Sequence, residues 1–474
     1  MTPTQKSRQA WRMKTRTSHI LRDRGSFRDP DGYIFQKGGE TFRSIVNPNS
    51  PILQTKYQAF FQAAVEEQLL LDYRKVPKTD ADPADAIALI KPISLPIVTY
   101  PYEWSFSQLK DAALVTLELN LLALSHGLTL KDATAFNVQL YGNRMTFIDH
   151  LSFEPSDGRM PWRPYSQFCR HFLSPLVISS YLDIHINRLF RVYIDGIPEQ
   201  VTVALLPLRS FLNPTIFLHI FLHTFFIKKS FRAGTSTPIK QTGAHQADLL
   251  SQLKAATSSL EPAKQTSTWS NYYENTNYNE LAFREKINVV ANIFSNERFS
   301  VVWDIGANDG TFSRVVAPFS DLVLSLDLDH NATDGNYIEN RRLGHTSVYP
   351  LVFDITNPSP GIGFANSERS SLNWRSSPDA ILLLALLHHL CISHNLPFSH
   401  LAEYFHSFDC AVVVEFVDRE DSQVRRLCDS KGELADWYTR EEFERCFAQR
   451  FRITSRVDLS DSCRSIYLLH PIQN

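Results

Sequence analysis

The sequence predicts two architectures in one chain: a doubly wound α/β domain over residues 269–474 and an α+β domain over residues 25–228. Three observations carry this. From residue 301 onward, short apolar runs alternate with helix-like stretches. Those runs are continuous rather than alternating, as expected for strands buried on both faces of a parallel sheet. Between residues 229 and 268, small polar residues, Pro and Lys displace the aromatics, which marks a linker.

The elements follow in order. Residues 1–24 hold seven Lys/Arg and one Asp, with no apolar stretch for a secretory signal, and read as a basic flexible tail. An organellar transit peptide is the minor alternative. Residues 32–39 read as a β-hairpin, residues 109–126 as an apolar helix, and Tyr141-Gly142-Asn143 as a hairpin turn. Residues 211–227 carry no formal charge and sit at the lower limit of a bilayer span. Asn213, Pro214, Thr215, His219, His223 and Thr224 interrupt that stretch, which favours a buried or interfacial helix without stable membrane insertion. A short helix is expected at 247–256, inside the linker. Beyond it, residues 301–306, 321–327, 347–355, 379–386, 409–417, 451–459 and 464–471 read as seven strands. Helices fall at 311–320 and 401–408, and Thr439 with Glu442 opens another through a capping-box pattern. Repeated βα units imply right-handed crossovers. The last two strands are joined by only Ser460-Asp461-Ser462-Cys463, too short for a crossover, so the final strand should run antiparallel.

Composition narrows the function classes. A chain of 474 residues with 43% hydrophobic and 21% charged residues is globular and multidomain. A net charge of −2 supplies no basic field for nucleic acid, so no nucleic-acid partner is expected. The six cysteines form no CxxC pair and no zinc spacing, so no metal site is expected and the thiols should be reduced, as in a cytoplasmic protein.

The chemistry concentrates at the carboxyl ends of the predicted strands, where open α/β sheets bind ligands. The first strand ends in Asp304-Ile305-Gly306-Ala307-Asn308-Asp309-Gly310 and leads into a helix. Its glycine spacing is not the dinucleotide fingerprint, and no P-loop Lys-Ser/Thr follows. An acidic residue inside such a turn repels a pyrophosphate but suits a ligand with an ammonium and a sulfonium. Asp327 ends the second strand, where a carboxylate can accept from a ribose diol, with Asp329 a close competitor. Asp354 ends the third, within reach of an adenine amino group. His388 and His389 end the fourth, facing the place where a substrate would meet a methyl group. Either could act as a general base or orient the acceptor. Residues 269–278 precede the first strand and serve either as a lid, with Tyr273 or Tyr278 against the ligand, or as a packed anchor.

The ordered set WDIGANDG, LSLDLDHNA, VFDI, ILLLALLHHL and VVVEFVDRED resembles the class I S-adenosylmethionine (AdoMet)-dependent methyltransferases over roughly residues 269–470. That resemblance implies a Rossmann-like seven-stranded sheet and AdoMet as cofactor. It implies that Asp304, Gly306 and Gly310 cradle the methionine end, Asp327 the ribose and Asp354 the adenine. Asn308 departs from the Gly of many members, but Asn tolerates the left-handed region. The lack of a basic nucleic-acid surface, not the resemblance, points to a small-molecule or glycan-like acceptor. The whole chain is also similar to bacterial methyltransferase-like proteins related to a rhizobial host-specificity nodulation protein.

In the first half, Asp132, Asn137 and Asp149 resemble the catalytic and metal-binding loops of protein-kinase-like phosphotransferases. Lys131 replaces the usual Arg, His150-Leu151 replaces Phe-Gly, and no Gly-rich nucleotide loop precedes them. A degenerate kinase-like core that recognises substrate or partner is therefore expected, with the alternative that Asp132 and Asn137 only cap and turn the chain. Two further alternatives stand: a methyltransferase fold kept as a scaffold, and an active phosphotransferase.

Overall fold

The computed structural model describes residues 20–225, 246–263, 280–431 and 436–473. The N-terminal half opens with five strands, β1 (Leu21–Arg22), β2 (Gly32–Lys37), β3 (Glu40–Ile45), β4 (Tyr73–Val76) and β5 (Ala88–Pro92). They pair antiparallel in the order β1-β2-β3-β5-β4. The hairpin expected at 32–39 forms but is longer: those residues are β2 and its turn, and the return strand β3 lies beyond them. The basic tail ends earlier than residue 24, because Leu21 and Arg22 pair with Phe35 and Gln36 and join the sheet.

A helix, Gln58–Glu66, lies between β3 and β4. The long helix Phe106–Ser125 starts at Ser105, whose Oγ accepts from Gln108 N while Gln108 closes the reciprocal bond. It buries Leu109, Leu117 and Leu119 completely. Strands β6 (Leu128–Leu130), β7 (Val138–Tyr141), β8 (Arg144–Phe147) and β9 (Phe153–Pro155) form two small ladders, β6–β9 and β7–β8. The helix Gln246–Ser258 is longer than expected and is no free tether: Leu250 and Leu253 are fully buried and join the N-terminal core. The apolar stretch from 211 is broken by Asn213, which caps Pro214–Ile216, and by a π-helical turn at Phe217–Leu222. Among the described residues, no helix is long and apolar enough to cross a membrane.

The C-terminal half holds seven strands: β10 (Phe299–Ile305), β11 (Ser320–Asp327), β12 (Val348–Val352), β13 (Ala380–Leu383), β14 (Ala411–Val417), β15 (Phe451–Asp458) and β16 (Arg464–Pro471). Their order is β12-β11-β10-β13-β14-β16-β15. The first five are parallel, while β16 is antiparallel to both β14 and β15. All seven expected strands form, several shorter than the apolar runs. The third ends at Val352, so Asp354 lies just beyond it. The helix predicted over 311–320 splits into Thr311–Val316 and a 3₁₀ turn at Ala317–Phe319, because Pro318 breaks the α-helical ladder. At Thr439 only half the capping box forms: its Oγ1 accepts from Glu442 N, while the Glu442 carboxylate pairs with Arg445. All six cysteines are free thiols, five of them buried.

The two halves share one core, and polar contacts lock them together. The N-terminal half covers the open edge of the sheet at β12. Gln108 donates to Pro350 O at 3.0 Å and Tyr349 OH accepts from Gly142 N at 2.9 Å. Proline has no N–H to leave unpaired on that edge strand. On the adjoining helix His330–Leu343, Asp334 accepts from Ser107 N and Oγ at 2.7 and 2.9 Å. Asp111 takes Tyr337 OH and pairs with Arg341. Arg375 and Glu103 form a buried ion pair across the same seam.

Candidate functional site

A cleft of about 220 Å³ opens at the carboxyl ends of β10, β11, β12 and β13. It gathers Asp304, Gly306, Asn308, Asp327, Asp354 and His389 from four separate strand ends. These are six of the nine residues anticipated from the sequence for cofactor and catalysis.

The turn after β10 forms the floor. Gly306 N donates to Leu326 O at 2.8 Å, which pulls the turn against the end of β11. Gly306 has φ 78°, and a Cβ there would meet the Leu386 side chain at 3.4 Å on the opposite wall. Asn308 adopts φ 50°, the left-handed conformation expected of it. Gly310 needs its positive φ of 75° for another reason: a Cβ would sit 2.2 Å from the Asn336 side chain. It caps the following helix and does not line the cleft. Its anticipated cradle role is replaced by close helix packing.

Asp304 is buried, and its Oδ2 accepts from Ser313 Oγ at 2.6 Å. Burial pushes its carboxyl up to about 7. Burial likewise pushes Asp327 up to about 6, although its two oxygens accept from Asn308 N and Asp329 N, each at 2.7 Å. A carboxylate has about four lone-pair sites, so Asp327 keeps acceptor capacity toward the cleft. Asp329 resolves as the cap of the next helix, accepting from Asn331 N and Ala332 N. Asp354 is half-buried on the cleft wall and accepts from Thr356 N and Oγ1. Phe353 stands beside it, its N–H donating to Asp327 O at 2.7 Å. Neither Asp304 nor Asp327 forms an ion pair with a lysine or arginine among the described residues. Two such carboxylates suit a ligand that is positive at one end and carries a diol further along.

The two histidines separate. His389 lines the cleft, with its ring 4.2 Å from that of His388. His388 is 1% exposed, turns away from the cleft, and its Nδ1 has no partner among the described residues. Burial and then His389 hold its basicity far below the usual range. The expected catalytic role of His388 thus gives way to a packing role. Burial lowers His389 to about 4, so it is a neutral imidazole at pH 7.

Four groups behind the cleft were not singled out in the sequence. Glu415, fully buried in the run VVVEFV, accepts from Lys286 Nζ at 2.6 Å, Arg464 Nη1 at 3.3 Å and Ala385 N at 2.8 Å. Ala385 holds φ 51° at the end of β13. The network therefore fixes a strained turn of the cleft wall, and Lys286 lines the cavity beside Phe312. A lone carboxylate inside an apolar strand was the available signal, because burial demands a cation for it. Tyr273 and Tyr278, and the rest of 269–278, lie outside the described residues.

The N-terminal trio is brought together but internally satisfied. Asp149 pairs with Arg43 at 2.6 Å and accepts from Ser152 Oγ at 2.5 Å. Burial raises that carboxyl, but Arg43 and Ser152 together hold it below its ordinary value. Asp29 shares the same guanidinium at 3.0 Å. Asp132 accepts from Gln167 Nε2 at 2.6 Å, and Asn137 donates to Ser152 Oγ at 3.3 Å. Lys131 pairs with Asp31. Among the described residues, no group of His, Cys, Asp and Glu is placed to hold a metal ion.

The order of seven strands, the reversed β16 and the cleft at the switch point define a Rossmann-like α/β fold of the class I methyltransferase kind. The chain is 32% identical over 460 residues to nodulation protein NoeA of Rhizobium meliloti (strain 1021), covering 94% of each chain, and it belongs to that family. No protein-family model matches it. Among solved structures it is similar to N-methyltransferase NodS from Bradyrhizobium japonicum WM9, at 14% identity and TM-score 0.31, over 41% of this chain and 99% of that one. It is also similar to magnesium protoporphyrin IX methyltransferase from Synechocystis PCC 6803 with bound SAH, at 13% identity and TM-score 0.31, over 43% and 93%. At these scores the likenesses carry no argument about activity; the fold rests on the strand order itself.

Proposed function

We propose that this chain is an AdoMet-dependent methyltransferase acting on an oxygen or nitrogen of a small-molecule or glycan-like acceptor. The observation that carries this is the convergence of Asp304, Gly306, Asn308, Asp327 and Asp354 on one cleft. Asp304 and the Gly306 turn would hold the methionine end, Asp327 the ribose and Asp354 with Phe353 the adenine. AdoMet supplies an electrophilic methyl on a sulfonium. Transfer of that group is an in-line displacement, which gains chiefly from positioning. His389, neutral at pH 7, would accept a hydrogen bond from the acceptor nucleophile and orient it. With its basicity lowered it is a poor proton sink, so an acceptor that loses its proton late, after attack, fits best.

The N-terminal half reads as a degenerate kinase-like module. A five-stranded antiparallel sheet, a long helix, the Asp132 loop and the β7–β8 hairpin before Asp149 support that reading. Arg43 occupies the carboxylates that would otherwise face a magnesium ion, which favours a recognition role over phosphotransfer. Binding of AdoMet by calorimetry tests the proposal, with Asp327→Ala as control. Folded protein that binds no AdoMet, or binds it equally well with Asp327→Ala, overturns it. Binding without transfer of labelled methyl into a cell extract favours the scaffold alternative.

A further inference from the structure

We propose that residues 205–225 form a docking surface for an anionic phospholipid bilayer. The outer face of the segment is apolar. Its inner face is mixed: His219, His223 and Thr224 are buried beside Ile216, Ile220 and Phe221, with Tyr165 OH and His219 Nδ1 2.7 Å apart. Four large apolar side chains point outward: Leu208 is 84% and Leu212 85% exposed, and Phe217 and Leu218 are each 46% exposed. A surface helix facing water carries polar side chains on its outer face. The rings of Phe211 and Phe221 stack at 3.5 Å, so the turn at Leu208–Leu212 folds back on Phe217–Leu222 as one unit. The exposed residues thus lie on two turns packed against each other, and clustered exposed apolar side chains mark an interaction site.

Charge selects the partner. Residues 205–225 contain Arg209, which is exposed, and no Asp or Glu. In sequence, Lys228, Lys229 and Arg232 follow, again with no acidic residue. Glu199, which faces His223 of this segment at 4.0 Å, is fully buried and paired with Arg170 at 2.8 Å. Exposed apolar side chains with Arg209 among them, and three basic residues next in sequence, match the interface of an anionic leaflet, where the headgroups meet the cations and the acyl boundary takes the leucines. No described helix is long and apolar enough to span a bilayer, so the surface would lie on the membrane rather than cross it.

Flotation of the full chain with vesicles tests this. The wild type should float with phosphatidylcholine–phosphatidylglycerol vesicles and far less with phosphatidylcholine alone. The double substitution Leu208→Asp with Leu212→Asp should weaken lipid binding at least about tenfold, since two leucine side chains leave the acyl boundary. Its melting temperature and AdoMet binding should match the wild type, because both side chains are solvent-facing. Absence of flotation with either vesicle, or equal flotation of the variant, overturns the proposal. So does a wild-type dimer in light scattering that the double substitution abolishes, which would make a second copy the occupant.

Discussion

Two groups of buried and half-buried aspartates sit at loop positions in this chain, and they are satisfied in different ways. In the N-terminal half, Asp29 and Asp149 share the Arg43 guanidinium, Asp31 takes Lys131, and Asp132 takes the Gln167 amide. In the C-terminal half, buried Asp304 and half-buried Asp327 take hydroxyl and backbone donors only, and burial raises both, as it raises Asp29 and Asp132. A carboxylate with a cation or amide supplied by a side chain of the fold is part of the scaffold. A carboxylate facing the cleft with no ion-paired cation is poised for a ligand that brings the charge.

Gly306→Arg should abolish AdoMet binding in calorimetry, because the new side chain enters the cleft from a backbone at φ 78°. Arg43→Ala should leave two carboxylates uncompensated and cost about 3–5 kcal/mol in denaturant unfolding. The same variant should keep whatever AdoMet affinity its folded fraction shows, and magnesium-ATP should not raise the melting temperature of the wild type. A magnesium-ATP shift would return the first group to the ligand-binding class.

The pH dependence separates the groups further. Asp304 titrates at about 7 in the fold against 3.8 for an ordinary aspartate. Between those values the folded state holds the extra proton, so stability contributed at this site falls as pH rises through that window. AdoMet favours the ionised form, so its affinity should rise across the same window by up to about tenfold per pH unit. Asp304→Asn should weaken both trends in calorimetry and thermal melts, leaving the share contributed by Asp327. The smallest effect belongs to Asp329→Ala, which removes a helix cap and should cost about 1 kcal/mol in thermal melts.

Legibility in the sequence differed along the chain for physical reasons. The strands of the C-terminal half were readable because burial on both faces leaves unbroken apolar runs, as in AVVVEFV. The cleft aspartates were readable because each ends or follows such a run. Gly310 is ambiguous in sequence, because a glycine reads the same whether a ligand or Asn336 approaches it. His388 and His389 are adjacent in sequence, and one turn of backbone sends one into the core and the other to the cleft wall. The helix Gln246–Ser258 was underread because its partner, the helix Phe106–Ser125, is far away in sequence.

The sequence by itself determined the seven strands, the reversed last strand and the chemical character of the ligand cleft, since these follow from local periodicity and from residues at strand ends. Only the tertiary structure decided which carboxylates are satisfied from within. Arg43 reaches Asp149, Lys286 and Arg464 reach Glu415, and Gln108 reaches the β12 edge, all across long stretches of chain. The physical reason is that counter-charge and burial are properties of packing, and packing joins residues that no local pattern relates.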